Sequence, residues 1–294
     1  MLKRIKLLWE ENPQLLFGIA IIVGLFLCSL VGLFQSYDPV VARMKGVKPH
    51  QLPSWQYWLG TDYTGQSLMV LLVEGTGAFF LPGWIATFVA LLGGGLMGSF
   101  SGYYGGWLSH ISRYISTLIN SFPNLILVIL CTTVFGPNIF FIAALVGISF
   151  VPHIAEEIRR KVSQLKAEEF VMAAEAHGLR DRRILFFHIV WLHCSPLILR
   201  QIVFLWGYLI ILETSLNYLG RGVLQRGISW GKLLYDYRSG LFRSQYWSPI
   251  VVTLTVMITM AGFYFLAEGL QRWSEGQGMY FDEQEADETT SPSL

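Results

Sequence analysis

Six stretches of this chain, most of them about 20 residues long, carry almost no charge, and that pattern fixes the fold class before any motif is read. They lie near residues 15–33, 79–100, 115–135, 139–154, 195–216 and 249–270, the fourth being the shortest. A helix of about 20 residues reaches about 30 Å, the depth of a bilayer's hydrocarbon core. Lipid offers the backbone no hydrogen bonds, so segments of this kind are expected to be helices. Hydrophobic residues make up 53% of the chain and charged ones only 14%, beyond what a soluble domain of this length needs for its core. The expected fold is therefore all-α and integral to a membrane, with six transmembrane helices. No basic stripe with interleaved aromatics suggests nucleic acid. Cys28, Cys131 and Cys194 stand singly in or beside apolar runs, without metal-ligand spacing, as buried free thiols do. The first run lacks a small-residue cleavage site after it, which suits a retained anchor rather than a removed signal.

Gly136-Pro137-Asn138 alone separates the third and fourth runs, so these should form a tight helical hairpin. Lys and Arg set the orientation. With the N-terminus inside, the inner segments hold twelve, including Lys3, Arg4 and Lys6, against eight outside. The dense cluster from Arg159 to Arg183 lies close to span ends, where such charges count most. Both termini are thus expected in the cytoplasm. Residues 35–77, rich in turn formers and aromatics, should cap the extracytoplasmic mouth. Residues 273–294 include Glu275, Asp282, Glu283, Glu285, Asp287 and Glu288 and read as an acidic, disordered cytoplasmic tail. No internal repeat is visible, which argues against the inverted-repeat folds of many secondary transporters.

The most basic loop contains an ordered element. Residues 167–176 are good helix formers, and Gly178 stands where a left-handed C-terminal cap is wanted. Asp181 is placed to cap a second helix beginning Arg182-Arg183-Ile184-Leu185. A helix, a Gly turn and a second helix should therefore lie along the membrane surface. A purely interfacial helix would bury Leu, Phe or Trp in lipid, whereas this one offers mainly alanines and charges. Its shallow face, with Ala173, Ala174 and Ala176, suits close approach by another protein, and Glu168, Glu169, Glu175, Arg180 and Arg182 could set the register.

The run Phe170-Val171-Met172-Ala173-Ala174-Glu175-Ala176-His177-Gly178, followed by Ile189, resembles the EAA loop of ABC importer permeases. Four further stretches resemble motifs of the dipeptide, oligopeptide and nickel permease branch, in its second subunit type. They are Leu59-Gly60-Thr61-Asp62-Tyr63-Thr64-Gly65, Ser101-Gly102-Tyr103-Tyr104-Gly105-Gly106-Trp107, Glu213 to Gly222 with Ser229-Trp230-Gly231, and Ala267-Glu268-Gly269-Leu270. Together they run in order from Leu59 to Arg272. The chain departs from the pattern at Met172, at Val190-Trp191 where a proline is usual, at Gln66-Ser67, and at Leu224-Gln225-Arg226-Gly227-Ile228.

The resemblance implies a MetI-like type I importer transmembrane domain over residues 78–272, with a cytoplasmic coupling loop at 156–194. An extra N-terminal helix and extracytoplasmic segment would occupy residues 1–77, with the tail beyond 272. It further implies a bacterial inner-membrane permease subunit for short peptides or related solutes. The implied partners are a second homologous permease subunit, two ATPase subunits that bind the ATP and Mg, and an extracytoplasmic solute-binding protein. Residues 170–178 would dock on the ATPase. This chain has no phosphate-binding loop of its own, since Gly231-Lys232 is followed by Leu, so it is expected to be a transporter subunit and not an enzyme, with no cofactor or metal.

Single residues allow more than one role. Arg200 is close enough to the start of the fifth run to snorkel. Glu213, near the far end of that run, should face either a translocation path or a polar partner, because facing lipid it would cost about 2.5–3.5 kcal/mol. Asn120, Ser121, Pro123 and Asn124 interrupt the third run with polar groups and a kink; Asn120 and Asn124 would suit a path-lining helix or a tightly packed one. Gly93-Gly94-Gly95 with Gly98 gives the second run a flat packing face. His110, His153, His177, His188 and His193 are scattered, and His177 and His188 fit the docking surface better than a metal. The competing reading is an ion-coupled secondary transporter, which would need titratable groups near mid-membrane.

Overall fold

The computed structural model describes residues 12–34, 47–136, 138–220, 227–239 and 246–290. Lys3, Arg4, Lys6, Pro137, Arg221 and Gly222, and the segment 224–226, which figure in the sequence reading, lie outside these. Regular structure among the described residues is helical, apart from one isolated bridge between Thr61 and Ser67. In chain order the helices are α1 Pro13–Phe34, α2 Leu68–Gly75, α3 Gly77–Tyr104, α4 Gly106–Asn120, α5 Asn124–Phe135, α6 Ile139–Leu165 and α7 Glu169–Ala176. A short α8, Asp181–Arg183, runs into a π-helix, Ile184–His193, and then come α9 Ser195–Tyr218, α10 Trp230–Tyr237 and α11 Trp247–Thr290. Four stretches are long and apolar enough to cross a membrane alone: Leu68–Tyr104, Phe140–Leu165, Ser195–Tyr218 and Trp247–Arg272. The pair α4 and α5 makes a fifth only if taken as one span, and Pro13–Cys28 is a shorter apolar helix.

Glycines set the closest seam. Gly94, Gly98 and Gly102 recur every fourth residue along one face of α3. A Cβ at Gly98 would stand 2.5 Å from the Ala155 carbonyl oxygen, and one at Gly102 2.7 Å from that of Arg159. Gly147 on α6 answers from the other side, 2.7 Å from the Ala86 oxygen by the same measure. The two helices therefore run parallel with backbone against backbone, as small residues permit. Gly95 faces open space, so only part of the expected glycine face is used. α1 packs antiparallel on α11, where a Cβ at Gly269 would meet the Leu15 Cα at 2.5 Å.

Several boundaries differ from those the apolar runs suggested. The fourth run extends to Leu165 instead of ending at 154. Ile154, Ile158, Val162 and Leu165 keep a buried stripe at helical spacing past the end of the apolar composition. Glu156–Arg159 and Glu157–Arg160 pairs support the opposite face. Its start is capped by Asn138, whose side-chain oxygen accepts from the Phe140 and Phe141 amides at 2.9 and 3.3 Å. The third run begins at Gly106, not 115, and is two helices bent by 71° at residues 121–123. Pro123 lacks an N–H and disfavours helix before it, and Ser121 Oγ bonds back to the Thr117 carbonyl at 2.7 Å.

Asp181 does not cap the second loop helix. Arg180 occupies that position, and Asp181 sits in the first turn, where negative charge suits the helix dipole. Beyond it the helix widens into the π form. With Trp191 instead of proline, the backbone keeps its N–H and stays helical as far as Cys194, whose amide bonds to Ile189 at 3.1 Å. α11 continues through residue 290, so the acidic segment is helical where its composition suggested disorder. Its many Glu and Gln residues, with Met279 and Ala286, are themselves strong helix formers.

Candidate functional site

α7 has two unlike faces. Val171 is 1% exposed and, with Phe170 and Ala174, packs against the core of the bundle. Glu169, Met172, Ala173, Ala176 and His177 are exposed, at the i, i+3, i+4, i+7, i+8 spacing of a single helical stripe. The C-terminus closes as a Schellman motif. The Leu179 amide bonds to the Ala174 carbonyl at 3.2 Å and the Gly178 amide to that of Glu175 at 2.9 Å. Gly178 supplies the required positive φ of 73°. The loop thus ends in a fixed reversal, and the exposed stripe carries no bulky apolar side chain except Met172.

The predicted docking residues 170–178 therefore divide. Phe170, Val171 and Ala174 anchor the helix, while Met172, Ala173, Ala176 and His177 present it. Glu175 is exposed yet reaches inward, with the Tyr103 hydroxyl donating to its Oε1 at 3.4 Å. The Phe170 ring stacks on His193 of the π-helix at 4.8 Å between centroids. His177 instead turns back on its own helix, Nδ1 lying 2.8 Å from the Ala173 carbonyl oxygen. Lys166, just before α7, donates to the Tyr103 carbonyl at 2.7 Å and lies 4.8 Å above the Tyr103 ring. Sequence reading missed Tyr103 and Lys166 as partners of this helix. The only signal was the paired tyrosines of the turn after the second run, 63 residues away from Lys166. Phe187, Trp191 and Leu192 extend the exposed surface along the π-helix.

Beneath this surface Cys194 is fully buried, and that burial pushes its thiol up to about 11. Arg200 does not simply snorkel. Its guanidinium donates to Gln271 Oε1 at 2.6 Å and to Glu157 Oε2 at 3.4 Å, tying α6, α9 and α11 together close to the loop.

The other expected polar positions lie apart from α7 and from each other. Glu213 meets a polar partner on its own helix, with Asn217 Nδ2 donating to its Oε1 at 2.5 Å. It lines a small cavity of about 30 Å³ among α3, α6 and α9, whose walls include Pro82, Ala143 and Leu209 but neither Asn120 nor Asn124. Those two flank the bend between α4 and α5, Asn120 exposed and Asn124 half-buried.

At the opposite end of the bundle the Leu59–Gly65 stretch forms a compact turn. Asp62 Oδ1 accepts from the Thr64 amide, the Thr64 hydroxyl and the Gln66 amide, each at 2.8 Å. One indole fastens the turn and a second the helix α2 that follows it. Trp247 Nε1 donates to the Leu59 carbonyl and Trp230 Nε1 to that of Leu72, both at 2.9 Å. The turn meets α10, the helix that begins at Trp230, through the Tyr63 ring, 5.9 Å from that of Tyr237. Burial, with the Asp62 carboxylate alongside, pushes the Tyr237 phenol up.

Residues 94–276 match the family model described as binding-protein-dependent transport system inner membrane component. The chain is 30% identical over 269 residues to the dipeptide transport system permease protein DppC of Alkalihalophilus pseudofirmus, covering 90% of this chain and 88% of that one. It is 31% identical over 267 residues to the oligopeptide transport system permease protein OppC of Bacillus subtilis, covering 90% and 85%. A solved structure of the MetNI methionine ABC transporter in inward-facing conformations aligns with a TM-score of 0.40 and 18% identity, covering 69% of this chain and 96% of that chain.

Proposed function

This chain belongs to the family of inner-membrane components of binding-protein-dependent transport systems, and from that premise we propose that it is the permease subunit of an ATP-driven importer of short peptides or related small solutes. The observation that carries the reading is the two-faced α7, anchored by Val171 and leaving Met172, Ala173, Ala176 and His177 exposed. ATP and Mg are held by two separate ATPase subunits, and the loop 168–183 is the contact through which their closure reaches the membrane. A second homologous permease completes the pathway, and a solute-binding protein delivers cargo at the opposite end. In this assembly α1 is an extra N-terminal span, the bent pair α4–α5 crosses as one, and six spans result. Both termini then lie on the ATPase side, with residues 1–77, 78–272 and 273–294 as successive units. ATP closure turns the pathway outward, and hydrolysis with product release turns it inward. Glu213, Asn120 and Asn124 are the polar groups offered to the path.

Removing residues 170–178 tests the docking assignment. Membrane insertion should persist while the ATPase no longer co-purifies; full retention of the ATPase defeats the assignment. ATP depletion tests the energy source, because uptake that survives it and collapses with the proton gradient belongs to a different class of transporter.

A further inference from the structure

An eight-residue helix without a side-chain N-cap bond is too short to hold its own position, so tertiary contacts must place α7. Two sets do so. Phe170 on His193 joins it to the π-helix that leads into α9. The second set is the cluster of Tyr103, Lys166 and Glu175. Tyr103 sits in the last turn of α3, where carbonyls lack intrahelical partners and the helix end carries partial negative charge. The Lys166 ammonium takes up the Tyr103 carbonyl at 2.7 Å while lying over the same residue's ring at 4.8 Å. The hydroxyl of that ring continues to Glu175, in the last turn of α7. Tyr103 is 3% exposed, so the cluster is rooted in the protein through its ring, while Lys166 and Glu175 reach it from the exposed side. Just before it, Gly102 and Gly98 hold α3 against the α6 backbone with no room for a side chain.

We propose that Lys166, the residue that ends α6 where the chain turns toward α7, and Tyr103 are positioning residues that lock the α6–α7 junction, and through Glu175 the end of α7, to the end of α3, so that movement of the docking helix is passed to the α3–α6 pair. The proposal rests on the coupling reading of α7. In that reading Phe170 and Val171 keep the helix folded, while the Lys166–Tyr103 contact sets how far α3 follows it. Loss of the contact should uncouple the motor without detaching it. Neither residue belongs to the exposed docking stripe, so its role is separable from binding the ATPase.

The test uses the complete importer, this chain with its partner permease, ATPases and binding protein, in proteoliposomes with trialanine as the transported probe. The quantity read is trialanine imported per ATP hydrolysed. Lys166→Ala should co-purify with the ATPases at wild-type stoichiometry while this ratio falls about fivefold, since it removes a charge-assisted bond and a cation–π contact together. Lys166→Arg should restore most of the ratio, and Tyr103→Phe, which loses only the long bond to Glu175, should lower it about twofold. An unchanged ratio in Lys166→Ala overturns the proposal. So does loss of the ATPases from that variant, which would make Lys166 part of docking or folding. If the chain lacking residues 170–178 still retains the ATPases, the coupling reading itself fails, independently of Lys166. If wild type imports no trialanine, the solute class fails instead. The same ratio is then read as ATP-driven change in the distance between spin labels on α3 and α5 per ATP turned over.

Discussion

The helix pairs α3–α6 and α4–α5 are built from equally apolar sequence and have opposite mechanics. α3 and α6 meet along Gly94, Gly98, Gly102 and Gly147, so their backbones touch and Ile154, Ile158 and Val162 are wholly buried. α4 and α5 turn by 71° at Pro123, and Trp107, Tyr114, Phe122, Ile126, Leu130 and Val134 remain exposed along both halves. Hydrophobicity alone does not distinguish the two. What differs is the placement of small residues and the Ser121-Phe122-Pro123 break, since Pro82 and Pro152 lie inside the unbroken α3 and α6. A seam of glycine fixes two helices to each other, while a proline flanked by back-bonding Ser121 divides one helix into two. The first pair suits transmission of force. The second presents a large apolar face to lipid or to another chain.

The seam is the place to break first. Gly98→Leu forces a side chain into the Ala155 backbone and should cost ~3 kcal/mol or more, because backbone yields less readily than a side chain. The matched control is Gly95→Leu, which points into open space and should leave unfolding in SDS unchanged. Equal effects from the two would dissolve the distinction between the pairs. Next in size is the anchor of α7. Val171→Ala removes two buried methyl groups and should lower stability by about 1–2 kcal/mol, whereas Met172→Ala on the exposed stripe should change ATPase affinity and leave the melting temperature in place. On the bent side, Pro123→Ala restores an N–H and should open the 71° angle toward a straight span, with longer distances between spin labels on α4 and α5. An unaltered distance assigns the bend to packing instead.

The smallest effect concerns Cys194. Its burial favours the neutral thiol, so this contribution to stability is complete below the ordinary thiol value of 9.0 and is lost as pH rises through about 11. At pH 8 native protein should leave Cys194 unlabelled by N-ethylmaleimide, with full labelling after denaturation. Rapid labelling of the folded chain would show the loop end to be looser than α3–α6.

Some of the candidate site was legible and some was not, for identifiable reasons. The left-handed cap at Gly178 could be read directly because it is a local rule, satisfied by residues adjacent in sequence. The capping role given to Asp181 failed because one residue of register separates the cap from the first turn, and local propensity does not resolve that step. The short fourth run was misjudged because composition ends at residue 154, while the buried stripe continues on a helix whose exposed face is charged. Tyr103 and Lys166 were invisible as a pair, since no pattern in one stretch reports a partner in another.

The sequence by itself determined that the chain is helical and apolar, where the short helix of its basic loop ends, and which motifs place it in its family. Those are consequences of period, propensity and short-range hydrogen bonding. Tertiary structure alone decided which glycines become a seam, which side of α7 is held and which is offered, and what fastens that helix to α3. Each of these depends on two segments meeting across the bundle, and such meetings are set by packing in three dimensions.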